Sequence, residues 1–149
     1  MPTEAELRRV SVEGILDLRH AVLRPGRPPE TARFDGDEDS GTRHYGLHRE
    51  GTCVACLTLL CSVHRDQPAW QLRGMAVAAG LQGQGLGTAL LRGVEAELVA
   101  EGGALLWCNA REGARPFYER SGWRVCSQRF EVAGIGPHWR MERDLRAAP

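Results

Sequence analysis

Residues 77–91 read VAAGLQGQGLGTALL: a strand-like run closes, glycines fall at 80, 83, 85 and 87, and an amphipathic helix begins. Glycine takes positive φ and lets the backbone approach a ligand, while the first turn of a helix points unpaired N–H groups outward in a favourable dipole field. Such a turn suits a phosphate or pyrophosphate. A plain strand-to-helix turn would not need alternating glycines, each of which costs helix stability. Two known phosphate loops are excluded. A Walker loop requires Gly-Lys-Ser/Thr and the chain has no lysine, and a GxGxxG fingerprint starting at Gly83 finds Thr88 in its third glycine place. What remains, from Gln82, is Gln-x-x-Gly-x-Gly.

Other reactive types are sparser. Cys53, Cys56, Cys61, Cys108 and Cys126 are an odd number, so a full disulfide framework is not expected. Strand alternation through CVACLTLLCSV sends Cys53 and Cys61 one way and Cys56 the other, so zinc binding at the CxxC would need a break in the strand; buried apolar thiols, and no metal, are expected. Asp35, Asp37, Glu38 and Asp39 form an acidic run that reads as a solvated loop, with attraction of a cationic ligand as the alternative. Trp107, Trp123 and Trp139 read as core or sheet-edge residues.

The elements that must hold these groups follow from patterning. A short strand near residues 7–10 precedes a helix carrying Ile15, Leu18 and Val22, with Ser11 as its cap and Pro25 as its stop. Residues 24–43, rich in Pro, Gly and acids, form a long loop with room for one short helix. Strands near 44–48, 52–63 and 70–77 make an antiparallel meander. A helix at 85–100 repeats Leu86, Leu90, Val94 and Leu98 and ends at Gly102 and Gly103. A buried strand at 104–108, a short helix at 114–121 and strands near 123–132 and 138–145 complete the order β-α-(loop/α)-β-β-β-α-β-α-β-β. That is a mixed α+β class around one sheet.

At 149 residues with 42% hydrophobic and 26% charged residues, the chain reads as a single domain over residues 1–149. Nineteen arginines balance nineteen acids, which argues against a nucleic-acid or acidic-membrane surface. No apolar run reaches a membrane span and the start lacks a signal-peptide pattern, so a cytoplasmic protein is expected.

On these residues the sequence resembles the GNAT superfamily of N-acetyltransferases, of the small single-domain bacterial type. Val77, Gln82, Gly85 and Gly87 stand at the spacing of its acetyl-CoA pyrophosphate motif. LLWCNAREGARPFYERSGW resembles its later strand, loop and short helix, with Tyr118, Gly122 and Trp123 on the motif. GIGPHWRM at 134–141 resembles the closing segment of one branch. The resemblance implies the fold, a central, mostly antiparallel twisted sheet flanked by helices. It also implies transfer of acetyl from acetyl-CoA to a primary amine, on a small molecule or a peptide terminus, by direct attack on the thioester through a tetrahedral oxyanion. It places the cofactor on Met75, Ala76, Val77, Gln82, Gly83, Gln84, Gly85, Leu86, Gly87, Thr88, Asn109 and Arg111, although the family's Asn position falls on Arg111 with Asn109 two places earlier. It admits a homodimer and makes Tyr118 the general acid. Many relatives carry a basic carboxylate on the fourth strand, and residues 70–77 have none. His138 is then the first candidate base, with His64, Glu131 and a water chain as alternatives. The rival function is a non-catalytic acyl-CoA-binding or regulatory module of the same fold.

Overall fold

The computed structural model describes residues 4–146. Its elements run β1 (Glu6–Val10), α1 (Glu13–Leu23), a 3-10 turn at Pro29–Ala32, β2 (Arg43–Arg49), β3 (Thr52–His64), β4 (Gln67–Val77), α2 (Leu86–Ala100) and β5 (Leu105–Arg111). A 3-10 turn at Glu112–Ala114 then leads into α3 (Arg115–Arg120), β6 (Arg124–Val125), β7 (Phe130–Val132) and β8 (Gly136–Asp144). The class is mixed α/β, as the element pattern predicts, with the mostly antiparallel sheet flanked by helices that the family resemblance implies. The run at 123–132 departs from that reading by splitting in two. There the Arg140 N–H is taken by the Ser127 hydroxyl at 2.8 Å, so a side chain replaces a ladder bond between β6 and β7.

Two compact units divide the described residues, one of 4–60 together with 72–97, the other of 61–71 together with 98–146. In the first, the strands follow the order β1-β2-β3-β4. Glu50 and Gly51, at φ +53° and +80°, make the tight turn between β2 and β3. In the second, Arg65 and Asp66, at φ +53° and +60°, turn β3 into β4. Here β4 runs parallel to β5 through Trp70↔Leu106 and Gln71↔Trp107. β8 pairs antiparallel with β5, and both β6 and β7 pair with β8.

The core of the first unit is the apolar stripe of α1. Val12 and Ile15 pack with Cys56 and Ala76, and Leu16, Leu18 and Val22 close over them. Ser11 is not the side-chain cap: its carbonyl accepts from the Gly14 N–H at 2.9 Å, and Val12 occupies the cap position without a side-chain bond. The cysteine alternation also fails, for a specific reason. The β2–β3 register jumps from Leu47↔Ala55 to His48↔Cys53, leaving Val54 as an extra residue. This bulge reverses the parity, so that Cys53 and Cys56 reach the same core cluster. The break in the strand therefore exists, and both thiols remain free in it. Burial pushes the Cys56 thiol up to about 12, which keeps it protonated.

Nor is the acidic loop simply solvated. Arg19 lies one turn after Ile15 on the buried face of α1 and has no exposed surface. Its Nη1 donates to Asp37 Oδ2 at 2.6 Å and to the Ala32 carbonyl at 2.8 Å, and its Nη2 donates to the Thr58 hydroxyl at 2.8 Å. His44 joins the Thr58 hydroxyl to the Asp37 carbonyl, each at 2.8 Å. Asp37 is thus an internal counter-ion, while Glu38 pairs on the surface with Arg33 at 2.9 Å. Asp37→Ala leaves a buried charge unpaired and is expected to cost about 3–5 kcal/mol in denaturant unfolding. Glu38→Gln should stay within ~1 kcal/mol. Equal costs for the two would refute this assignment.

Candidate functional site

β4 carries one unusual residue before the glycine turn. Gly74 sits at φ +63° within the strand, and a Cβ there would lie 2.9 Å from Arg19 Nε. Only glycine fits both demands. Beyond it come Met75, Ala76 and Val77, of which Ala76 is buried and the other two half-buried. Within this unit the chain leaves the strand with the Ala78 N–H bonded to the Val54 carbonyl at 2.9 Å, then turns through Leu81 N–H to the Ala78 carbonyl at 3.0 Å.

The turn at 82–88 is assembled from backbone. Gly80, Gly83 and Gly85 stand at φ +83°, +81° and +81°, and a Cβ on any of them would meet nothing within 4 Å. Their Cα faces therefore front open space. Gln82, Gly83, Gln84 and Gly85 are exposed, whereas Leu86 is buried and anchors the helix start. The Gln82 side chain reaches back to the Val77 carbonyl at 3.4 Å, bracing the turn. The first helical bond of α2 runs from Ala89 N–H to the Gly85 carbonyl at 2.9 Å. Leu86, Gly87 and Thr88 thus carry N–H groups that precede any partner inside the helix. No acidic residue occupies that first turn to compete for them. This cradle of N–H groups, on a 15-residue helix, has the geometry to receive an anion.

The second unit holds Tyr118, His138, Asn109 and Arg111. α3 begins with a proline in its first turn, which fits its fixed φ, and ends at Gly122, φ +92°, where a Cβ would lie 2.6 Å from Arg143 Nη1. Tyr118 is buried, its ring 5.2 Å from both Phe117 and Trp123. Its hydroxyl is hydrogen-bonded with the Cys108 thiol, and burial first, then that sulfur, raises the phenol well above its ordinary range. Burial likewise raises the Cys108 thiol. Tyr118 is accordingly a protonated donor at every physiological pH, and Cys108 is a poor nucleophile.

On β5, Cys108 and Ala110 face inward while Asn109 and Arg111 are exposed. The cross-strand pairs Asn109↔Arg140 and Arg111↔His138 place these four residues on one sheet face. His138 is buried against Phe130, with ring centroids 5.8 Å apart, and its Nδ1 donates to the Gly136 carbonyl at 2.9 Å. In the neutral ring, Nε2 then carries the lone pair.

The alternative bases are engaged elsewhere. His64 Nε2 meets Glu142 Oε1 at 2.8 Å and its ring stacks on Trp107 at 6.0 Å. Glu131 is exposed beside Arg129 at 3.7 Å. Together, His64, Cys126 and Glu142 bring three ligand-type atoms within 4.8 Å. Around Glu142, however, stand Arg65 at 3.1 Å and Arg124 at 2.6 Å, a field that favours the carboxylate and opposes a cation. Trp107, whose indole N–H donates to Ser62 at 3.1 Å, is buried as expected.

Sequence reasoning missed Gly74 and the Arg19–Asp37 pair. A glycine inside a strand pattern was the available signal for the first. An arginine at the fourth place after Ile15, on an otherwise apolar stripe, was the signal for the second.

Residues 29–145 match the model of the acetyltransferase (GNAT) domain. The chain is 32% identical over 149 residues to the uncharacterized N-acetyltransferase YitI of Bacillus subtilis, covering 96% of this chain and 98% of that protein. Among solved structures it is similar to Escherichia coli ElaA, with a TM-score of 0.76 at 21% identity over 94% of this chain and 99% of that one. It is also similar to an aminoglycoside 6'-N-acetyltransferase complexed with coenzyme A, with a TM-score of 0.76 at 14% identity over 97% and 99%.

The thiol environments predict an order of reactivity. Exposed Cys61 should be alkylated first in the folded protein at pH 8, while Cys56 and Cys108 should react only on unfolding. Peptide mapping after timed alkylation reads this directly. Cys108 reacting as fast as Cys61 would contradict its buried, protonated state.

Proposed function

The chain belongs to the acetyltransferase (GNAT) domain family, and from that premise we propose that it transfers an acetyl group from acetyl-CoA to a primary amine by direct attack. The observation that carries the reading is the turn at 82–88, where positive-φ glycines front open space and helix N–H groups lack intrahelical partners. The donor set fits the pyrophosphate of CoA, because it offers several N–H groups and no carboxylate. In this reading Gln82, Gly83, Gln84, Gly85, Leu86, Gly87 and Thr88 hold the pyrophosphate. Met75, Ala76 and Val77 offer main-chain groups to the pantetheine arm as an added strand would, and Asn109 and Arg111 hold further polar parts of the cofactor.

When bound, acetyl-CoA supplies a thioester carbonyl open to attack by an amine. The chain's own residues handle the protons. His138 Nε2 accepts the proton that the attacking nitrogen must lose, its ring fixed by the Nδ1 bond to Gly136. Tyr118 gives its hydroxyl proton to the departing sulfur. The burial that raises the phenol also disfavours a bare thiolate, so donor and acceptor of this proton shift in the same direction. No covalent step through Cys108 is invoked.

Two variants test this. Gly85→Val imposes a side chain at φ +81° and over the cradle, and should weaken acetyl-CoA binding at least ~10-fold while the melting curve stays cooperative. Tyr118→Phe keeps the ring and removes the proton; turnover should fall ~10² or more with little change in acetyl-CoA affinity. Release of CoA thiol over a panel of amines measures turnover, and calorimetric titration measures affinity. Tight acetyl-CoA binding with no turnover on any amine would instead support the non-catalytic acyl-CoA-binding module.

A further inference from the structure

The two arginines that set a positive field around Glu142 also line a cavity of about 240 Å³ in the second unit. They come from different elements, Arg65 from the turn between β3 and β4 and Arg124 from β6, where it stands opposite Glu142 in the β6–β8 pairing. Arg65 Nε lies 3.1 Å from Glu142 Oε1, and Arg124 places Nε and Nη2 each 2.6 Å from Oε2. The two guanidinia therefore converge on one carboxylate, a cation at each oxygen. Glu142 is 5% exposed, whereas the side chains of Arg65 and Arg124 are 55% and 71% exposed. Among the described residues neither arginine pairs with another acid, so this part of the lining carries one positive charge more than negative.

The rest of the lining does not cancel that excess. Arg146 and Asp144 neutralise each other through two contacts, Nε to Oδ1 at 2.9 Å and Nη2 to Oδ2 at 2.8 Å. Arg143 also lines the cavity, and its Nη1 donates to the Gly122 carbonyl, a neutral acceptor, at 3.1 Å. Glu142 registers the field. Burial acts to raise its carboxyl, yet the hydrogen bonds from His64 and Arg124 and the charges of Arg124 and Arg65 bring it below the usual carboxylate range. Hydrogen bonds from Arg146 hold Asp144 at about 2. Both acids are thus already ionised at neutral pH, and the positive excess remains.

A guanidinium has more N–H groups than one carboxylate oxygen can take, so the exposed edges of Arg65 and Arg124 are open to a further acceptor. A tetrahedral oxyanion presents oxygens in several directions and suits cations arriving from separate elements, where a planar carboxylate suits a single fork. The volume sets the size: drug-sized ligands fill roughly 300–1,000 Å³, so this cavity takes a compact group. We infer that Arg65 and Arg124, with Arg143, form a binding site for a compact phosphate dianion, either inorganic phosphate or the phosphate of a small monoester. The site shares no residue with the turn at 82–88 or with Tyr118 and His138, and it stands apart from the acetyl-transfer reading.

The test titrates isotopically labelled full-length protein with inorganic phosphate, with glycerol 2-phosphate and, at matched ionic strength, with sodium chloride. The assigned Nε–H resonances of Arg65 and Arg124 should shift saturably with phosphate or the ester, and with chloride only as far as screening moves them. Saturation at lower concentration by inorganic phosphate identifies the free ion as the ligand, and by the ester a phosphorylated metabolite. Arg124→Gln and Arg65→Gln, each read on the resonance of the other arginine, should weaken binding at least ~10-fold, as loss of a charge-assisted hydrogen bond implies. Arg129→Gln, at an exposed side chain outside the cavity, should leave it unchanged. Protein saturated with CoA should bind phosphate with the same affinity. Shifts that do not saturate, or that chloride equals, would overturn the site. Loss of phosphate binding on CoA saturation would do so as well, since the cations would then serve a phosphate of the cofactor. If neither variant folds, the wild-type comparison of phosphate with chloride decides alone.

Discussion

A guanidinium with no exposed surface cannot stand without a counter-ion, and Arg19 imposes that requirement on most of the first unit. Removing such a charge from water costs several kcal/mol, so the chain must bring a carboxylate and further acceptors to it. Asp37 comes from the loop after α1, Ala32 from the 3-10 turn, and Thr58 from β3. Phe34 lies 4.2 Å beneath the guanidinium as a cation–π partner. On β4, the same side chain leaves no room for a Cβ at position 74. One buried charge thereby fixes a loop that composition alone would leave free, and it lies against Gly74 of β4, just before Met75.

The cradle follows from the glycines after β4. A helix start always leaves N–H groups unpaired. Such groups stay accessible only where the preceding chain keeps out of their way, and Gly80, Gly83 and Gly85 do so at positive φ. The second unit supplies a different environment: a buried phenol against a buried thiol, and a sheet face that carries Asn109, Arg111, His138 and Arg140.

Much of this was legible in the residues. The Gln82 to Gly87 spacing and the leucine stripe of α2 depend only on local periodicity and turn chemistry, and both stand where the pattern puts them. Tyr118 was likewise legible as a member of a short helix closed by Gly122. What could not be read was long-range or depended on a single inserted residue. The Val54 bulge reverses the facing of Cys53, and strict alternation has no means of anticipating it. Asp37 looks like its neighbours Asp35 and Asp39 until Arg19, 18 positions earlier, is brought against it. The pairing of His64 with Glu142 spans 78 positions and removes an imidazole that sequence left open as a base.

The central claim is that the N–H groups at the start of α2 receive the pyrophosphate of CoA. Titrating CoA into isotopically labelled protein and following the backbone amides of Gly85, Leu86, Gly87 and Thr88 tests it most directly. These four should show the largest downfield shifts in the spectrum and saturate together with the binding isotherm. Saturable CoA binding that leaves all four amides unmoved would contradict the account.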